Sequence, residues 1–198
     1  MNFTIKLLLL FFNFLQNINT FILRIGRKFA WIAILLMVIV IIIQVFFRYV
    51  LNNALPWPDE VARFLMLWMT GLIAPSAYRW GGFVSIDMLQ RFLPKTLSNI
   101  LIFLILIISL TVLLIGFEMG LRHINAGWIF SSSSIKIPYS LLGGKTEAMK
   151  LAWMYMSLPV GIFLLILVNI ELILRTILST FNSQISFPLD KDKERLEA

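Results

Sequence analysis

The sequence predicts an all-α integral membrane protein: about four transmembrane helices, an amphipathic interfacial helix ahead of them, and both termini in the cytoplasm. Three observations carry this reading. The chain is 60% hydrophobic and only 14% charged, with a mean hydropathy of +0.90, far outside the range of soluble domains. Several apolar runs reach the roughly 20 residues that a helix needs to cross a hydrocarbon core of about 30 Å. The basic residues gather at the ends of those runs, and more heavily at alternate ends.

Residues 1–28 read as the interfacial helix. The run Leu7 to Phe12 is short for a signal peptide, and no small-residue cleavage site follows it. Asn13, Gln16, Asn17, Thr20, Arg24 and Arg27 recur at three- and four-residue steps, with Phe11, Phe14, Leu15, Ile18, Phe21, Ile22 and Ile25 opposite. Arg24, Arg27 and Lys28 would anchor such a helix at the headgroups.

Residues 29–175 read as a four-span domain, and 176–198 as a polar cytoplasmic tail. Phe29 to Leu51 is the first span, with Trp31 at one end, Arg48 and Tyr49 at the other, and Gln44 as its polar residue. Asp59 to about Tyr78 is the second. Its small residues Gly71, Ala74 and Ala77 form a face suited to close helix packing, and Pro75 predicts a kink. Phe83 to Pro94 is short and mixed. Thr96 to about Leu121 is the third span, ending in a four-apart pair, Glu118 and Arg122. The lone His123 reads as structural. Asn125 to Lys150, with Ser131 to Ser134, Pro138 and Gly143-Gly144, reads as a loop with an interfacial excursion, then a helix start near Thr146-Glu147. Leu151 to Leu174 is the fourth span, with a central kink expected at Pro159-Val160-Gly161 and a second four-apart pair, Glu171 and Arg175.

Orientation follows from Lys and Arg. Lys6, Arg24, Arg27 and Lys28 precede the first span, Arg79, Arg91 and Lys95 join the second to the third, and Arg175, Lys191, Lys193 and Arg195 follow the fourth. This places both termini inside, with the Asp59-Glu60 turn and the Ser-rich loop outside.

The stretch Leu55 to Trp68 holds the densest charge and tryptophan. Pro58 suits the first turn of a helix, where a missing N–H costs nothing. Asp59 and Glu60 then fall where the helix dipole favours negative charge. Arg63 lies a turn deeper and requires a carboxylate or carbonyl partner; Arg48 is placed to reach the same acidic turn. Trp57 and Trp68 flank the cluster as aromatic anchors.

Much chemistry is excluded. With one His and no Cys there is no zinc constellation and no disulfide framework. No Gly-rich phosphate loop or nucleophile elbow occurs, and no cofactor is expected. The +7 charge is explained by topology and lipid headgroups rather than nucleic acid. The acidic residues lie near span ends, and the chain is short for a transporter built of inverted repeats. An enzyme and a solitary carrier are both disfavoured against a partner-bound membrane subunit.

Arg48-Tyr49, Asn52, Leu55, Trp57, Asp59-Glu60, Ala62-Arg63 and Trp68 together resemble the small membrane subunit, the DctQ family, of tripartite ATP-independent periplasmic (TRAP) transporters. The resemblance continues through Gly71, Ala77, Arg79, Gly82, Val84, Ile86-Asp87 and Leu93-Pro94, then through Ile137-Pro138 and Leu158-Pro159-Val160-Gly161. Phe83 departs from it, standing where the family often has His, and the outer loop through Gly143-Gly144-Lys145-Thr146-Glu147 is long. The resemblance implies a large membrane subunit as partner, which carries the substrate and sodium sites. It further implies a periplasmic protein that delivers an organic anion, such as a dicarboxylate or a sialic acid, and a bacterial or archaeal inner membrane. Arg48, Trp57, Asp59, Glu60, Arg63, Trp68, Gly71, Ala74, Ala77, Pro159 and Gly161 are then expected to be structural or partner-facing. The alternative reading is a tetraspan assembly or regulatory protein without a transport role.

Overall fold

The computed structural model describes residues 3–81, 94–137 and 147–181. Along the chain these form helices α1 (Phe3–Tyr49), α2 (Trp57–Arg79) and α3 (Lys95–Gly127), strands β1 (Ser131–Ile137) and β2 (Glu147–Lys150), the short helix α4 (Ala152–Tyr155), and helix α5 (Ser157–Phe181). Four helical segments are long and apolar enough to span a membrane: Leu7–Tyr49, Trp57–Arg79, Leu97–Gly127 and Ala152–Ser179. The all-α, four-span class read from the sequence therefore stands, with a small β-hairpin added. Residues 82–93, which include Phe83, residues 138–146, which include the Gly143-Gly144 motif, and the tail beyond Phe181 lie outside the described residues.

α1 departs from the expected division at residue 28. It is one helix of 47 residues, about 70 Å long at ~1.5 Å per residue, and it runs unbroken from the presumed interfacial segment into the first span. The faces also differ from expectation. Phe11, Phe14 and Phe21 are exposed, whereas Gln16 and Asn19 are buried and Thr20 and Arg27 are partly so. Asn13, Asn17 and Arg24 remain outside. Phe12, Leu15, Asn19, Leu23, Ala30 and Ala33 are buried at steps of three, four or seven, one stripe along the helix. Between helices, the buried polar groups find partners that hydrocarbon would not offer them. α1 ends at Tyr49, and three residues on the chain turns at Asn52, whose φ of 50° lies in the left-handed region that asparagine tolerates. The Asn53 N–H donates to the Phe47 carbonyl at 3.0 Å.

α5 is the central helix. In its most apolar window 44% of residues are buried, against 11%, 11% and 6% for the other three spans. α2 runs parallel to it, with Gly71 against Gly161 and Arg79 beside Glu171. α1 runs antiparallel, bringing Phe12 to Leu178 and Asn19 to Glu171. α3 is antiparallel as well: Gly127 lies against Ala152, Gly120 against Pro159 and Gly116 against Ile162.

Two expectations about the fourth span are corrected. Glu147 begins strand β2 rather than a helix; Ile137 pairs with Glu147 and Ser131 with Lys150, with an irregularity between them. Pro159 sits in the first turn of α5, after a break between α4 and α5, and is not a central kink. The break puts Pro159 where its missing N–H is harmless. Pro75, by contrast, is buried inside α2, which continues through it.

The small face of α2 finds its partner inside this chain. A Cβ on Gly71 would stand 2.6 Å from the Ser157 carbonyl oxygen, and one on Gly161 would stand 2.8 Å from the Gly71 Cα. Both glycines are thus required by backbone-to-backbone approach. Gly71→Leu is expected to destabilise the isolated chain by about 1–3 kcal/mol or more through overpacking. Gly116→Ala, whose Cβ meets only Ile162 at 3.5 Å, is expected to be near neutral. Thermal unfolding in detergent reads both; equal midpoints for the two variants would contradict the α2–α5 contact.

Candidate functional site

Two polar centres hold the helices. The first lies at the C-terminal end of α2. The Arg79 guanidinium donates through Nε and Nη2 to the same oxygen, Glu171 Oε1, at 3.0 and 2.8 Å, a pair of charge-assisted hydrogen bonds. Its Nη1 donates to Thr20 Oγ1 at 2.9 Å, and Nη2 also approaches the Gln16 carbonyl at 3.5 Å. Asn19 donates to Glu171 Oε2 at 2.7 Å and to the Leu167 carbonyl at 3.2 Å. The side chains of Arg79 and Glu171 are 4% and 0% exposed, so the pair is fully desolvated. Its charges persist there only because the remaining donors and acceptors are also satisfied. One turn away, Arg27 lies over the Trp80 ring at 4.6 Å and donates to Ser76 at 3.3 Å. Asn169 donates to the Tyr78 hydroxyl at 3.0 Å. α1, α2 and α5 thus meet through charges and amides.

This centre was only partly legible. Glu171 was expected to pair with Arg175 near the end of the fourth span. Instead α5 continues to Phe181, so Glu171 lies well inside the helix, and two other helices organise it. Asn19 was the available signal, a side-chain amide in an apolar helix that needs a partner; Gln16 contributes only its backbone carbonyl. The corresponding exposed pair on α3, Arg122 to Glu118 at 2.6 Å, forms as the spacing predicts.

The second centre is at the N-terminal end of α2. Trp57 and Pro58 open the helix, and Asp59 and Glu60 fall in its first turn, as read from the sequence. The Glu60 carboxylate accepts hydrogen bonds from the hydroxyls of Ser132, Ser133 and Ser134, the latter two at 3.0 and 2.6 Å. The serine run that read as loop is the strand β1, and it seats the hairpin on α2. Lys150 on β2 donates to Ser131 at 3.2 Å.

The other singled-out residues are placed as follows. Trp68 donates its indole N–H to the Trp153 carbonyl at 3.1 Å, tying α2 to α4, while Trp57 is half-buried. Arg48 rests over its neighbour Tyr49 at 5.7 Å rather than on the acidic turn. Arg63 is exposed and joins neither the Arg79–Glu171 nor the Glu118–Arg122 pair, so the expected partner is not within this chain's described residues. Ala74 and Ala77 are half-buried. His123 stacks on Tyr155 with ring centroids 4.2 Å apart. Among the described residues no three His, Asp or Glu side chains converge as a metal site would require.

Four apolar helices with buried charge closed on itself define a multi-pass membrane protein. The family model described as Tripartite ATP-independent periplasmic transporters, DctQ component, matches residues 37–179. The chain belongs to that family, whose members are components of transporters working with a large membrane subunit and a periplasmic binding protein. No curated protein matches the chain.

Two outcomes follow from these centres. Removing one partner of the buried pair, by Glu171→Leu or Arg79→Met alone, is expected to cost about 3–5 kcal/mol, and the double variant substantially less than the sum. Unfolding of the isolated chain in detergent measures this cycle; strict additivity would mean that the two side chains do not meet. Glu60→Ala removes all three bonds and is expected to free the hairpin, raising backbone hydrogen exchange at 131–137 at least about tenfold, since even one charged hydrogen bond is worth ~1.5 kcal/mol. Unchanged protection would show that the hairpin is held otherwise.

Proposed function

We propose that this chain is the small scaffold subunit of a TRAP-type secondary transporter. It braces the large membrane subunit while that subunit takes up an organic anion, a dicarboxylate or a sialic acid, with sodium. A periplasmic binding protein delivers the anion and docks transiently. On this reading the substrate and sodium sites belong to the large subunit, and this chain performs no catalysis. It resides in a bacterial or archaeal inner membrane with both termini cytoplasmic, the side that the Lys and Arg asymmetry favours. A reporter fused at Ala198 reads that side, and a periplasmic signal would reverse it.

The observation that supports a bracing role is the closure of the Arg79–Glu171 centre. An ionisable pair in a transport path must bind and release a ligand, so it keeps a face open to water. Here Glu171 takes two bonds from Arg79 and one from Asn19, and both charged side chains are buried. That is the chemistry of a lock between helices.

The test is reconstitution into liposomes under a sodium gradient. This chain alone is expected to give no uptake of dicarboxylate or sialic acid. Together with its large subunit and the binding protein it is expected to support uptake, and omission of this chain is expected to abolish it. Uptake by the single purified chain, or undiminished uptake without it, would overturn the reading.

A further inference from the structure

α2 is mismatched to lipid in a way that the other helices are not. Its most apolar window has a hydropathy of 1.2, against 3.0 for α1, 3.2 for α3 and 2.3 for the α4–α5 span. Most of α2 is half-buried against its neighbours, and of its 23 residues only Asp59, Arg63, Met66, Leu67 and Thr70 are exposed. α1 and α3 can leave so much surface bare because it is leucine, isoleucine and valine. On α3, Leu104, Ile108, Val112 and Ile115 are 51%, 55%, 62% and 56% exposed. The last span is less apolar, and it is covered by its neighbours. On α2, the least apolar of the four spans, the few exposed positions include two charges, Asp59 and Arg63.

The mismatch is concentrated on one face. Asp59, Arg63, Met66, Leu67 and Thr70 are all exposed, with Met66 and Leu67 at 56% and 42%. They recur at steps of three and four, so they form one stripe. The hairpin takes the Glu60 carboxylate through Ser132 to Ser134 but leaves this stripe bare. Asp59 and Arg63 are four apart, yet neither enters an ion pair with another described residue. Thr70 folds its hydroxyl back onto the Met66 carbonyl at 2.8 Å. The stripe therefore ends in a small, self-satisfied residue that permits close helix approach.

We infer that this face of α2, Asp59–Arg63–Met66–Leu67–Thr70, is covered by a transmembrane helix of the large membrane subunit that sets a carboxylate opposite Arg63. The inference rests on the scaffold reading above. A protein helix supplies what hydrocarbon lacks: a counter-charge for Arg63 and a polar group for Asp59, above an apolar strip for Met66 and Leu67. The bare faces of α1 and α3 are left to lipid.

The chain has no cysteine, so single reporters are clean. Met66→Cys and Thr70→Cys, with Leu104→Cys and Val112→Cys on α3 as controls, are labelled with a photoactivatable maleimide in membranes containing both subunits. The two α2 positions are expected to give adducts with the large subunit about tenfold above the α3 positions. Arg63→Glu is expected to lower co-purification of the large subunit by about tenfold, with Arg63→Lys largely retaining it, as for loss of a desolvated charge pair. Stable wild-type co-purification with α2 adducts only to lipid would overturn the inference, as would adducts only to a second copy of this chain. Failure of the unmodified chain to co-purify with the large subunit would instead remove the scaffold reading, and this inference with it.

Discussion

The contact between Arg79 and Glu171 is the constraint on which the arrangement of α1, α2 and α5 depends. In lipid, apolar side chains give helices little reason to prefer one register over another, because hydrocarbon is as good a neighbour as leucine. A guanidinium and a carboxylate are different. Each is intolerable without the other when both are excluded from water, and only one rotation and depth of α2 against α5 brings them together. Asn19 and Thr20 extend the same demand to α1, since Glu171 has an oxygen and Arg79 a nitrogen left to satisfy. The polar contacts thus supply the specificity that hydrophobic packing in a membrane does not.

The glycines make that pairing reachable. Gly71 and Gly161 let α2 and α5 approach until backbone meets backbone, and from that crossing the two helices run parallel toward Arg79 and Glu171. At its other end α2 carries Glu60, where three serine hydroxyls hold the hairpin, and between the two ends Trp68 ties it to α4. α2 is therefore pinned at each end by charge and along its length by close contact. It is the least apolar of the four spans, and these attachments account for one side of it.

Membership of the DctQ family gives these features a common sense. On the scaffold role proposed above, a subunit that stays still while its neighbour moves needs helices that do not slide. A buried ion pair surrounded by amides, a glycine crossing and a hairpin seated on a carboxylate each resist sliding, because each has only one satisfied position. The same features leave few ionisable groups for handling an ion or an anion, in keeping with a division of labour between two membrane chains.

Much was determined by the sequence alone. Composition and run length settled four membrane-spanning helices, because the ~30 Å of hydrocarbon admits few other solutions. Local chemistry settled the start of α2, where Pro58, Asp59 and Glu60 answer the needs of a helix N-terminus regardless of what surrounds it. The Glu118–Arg122 pair was legible for the same reason, being a matter of spacing within one helix. Tertiary structure decided the rest. Glu171 has its neighbour Arg175 one turn away, yet α5 is in the centre of the bundle, and burial hands its carboxylate to Arg79 and Asn19. Residues 1–28 have an amphipathic pattern that suits an interface, yet their helix continues into the span and turns Gln16 and Asn19 inward. The four serines have the composition of a loop, yet pairing with β2 makes them part of a strand, and three of their hydroxyls bond Glu60. In each case the local pattern stated correctly that a polar group needs a partner. Only the packing of distant segments could say which one.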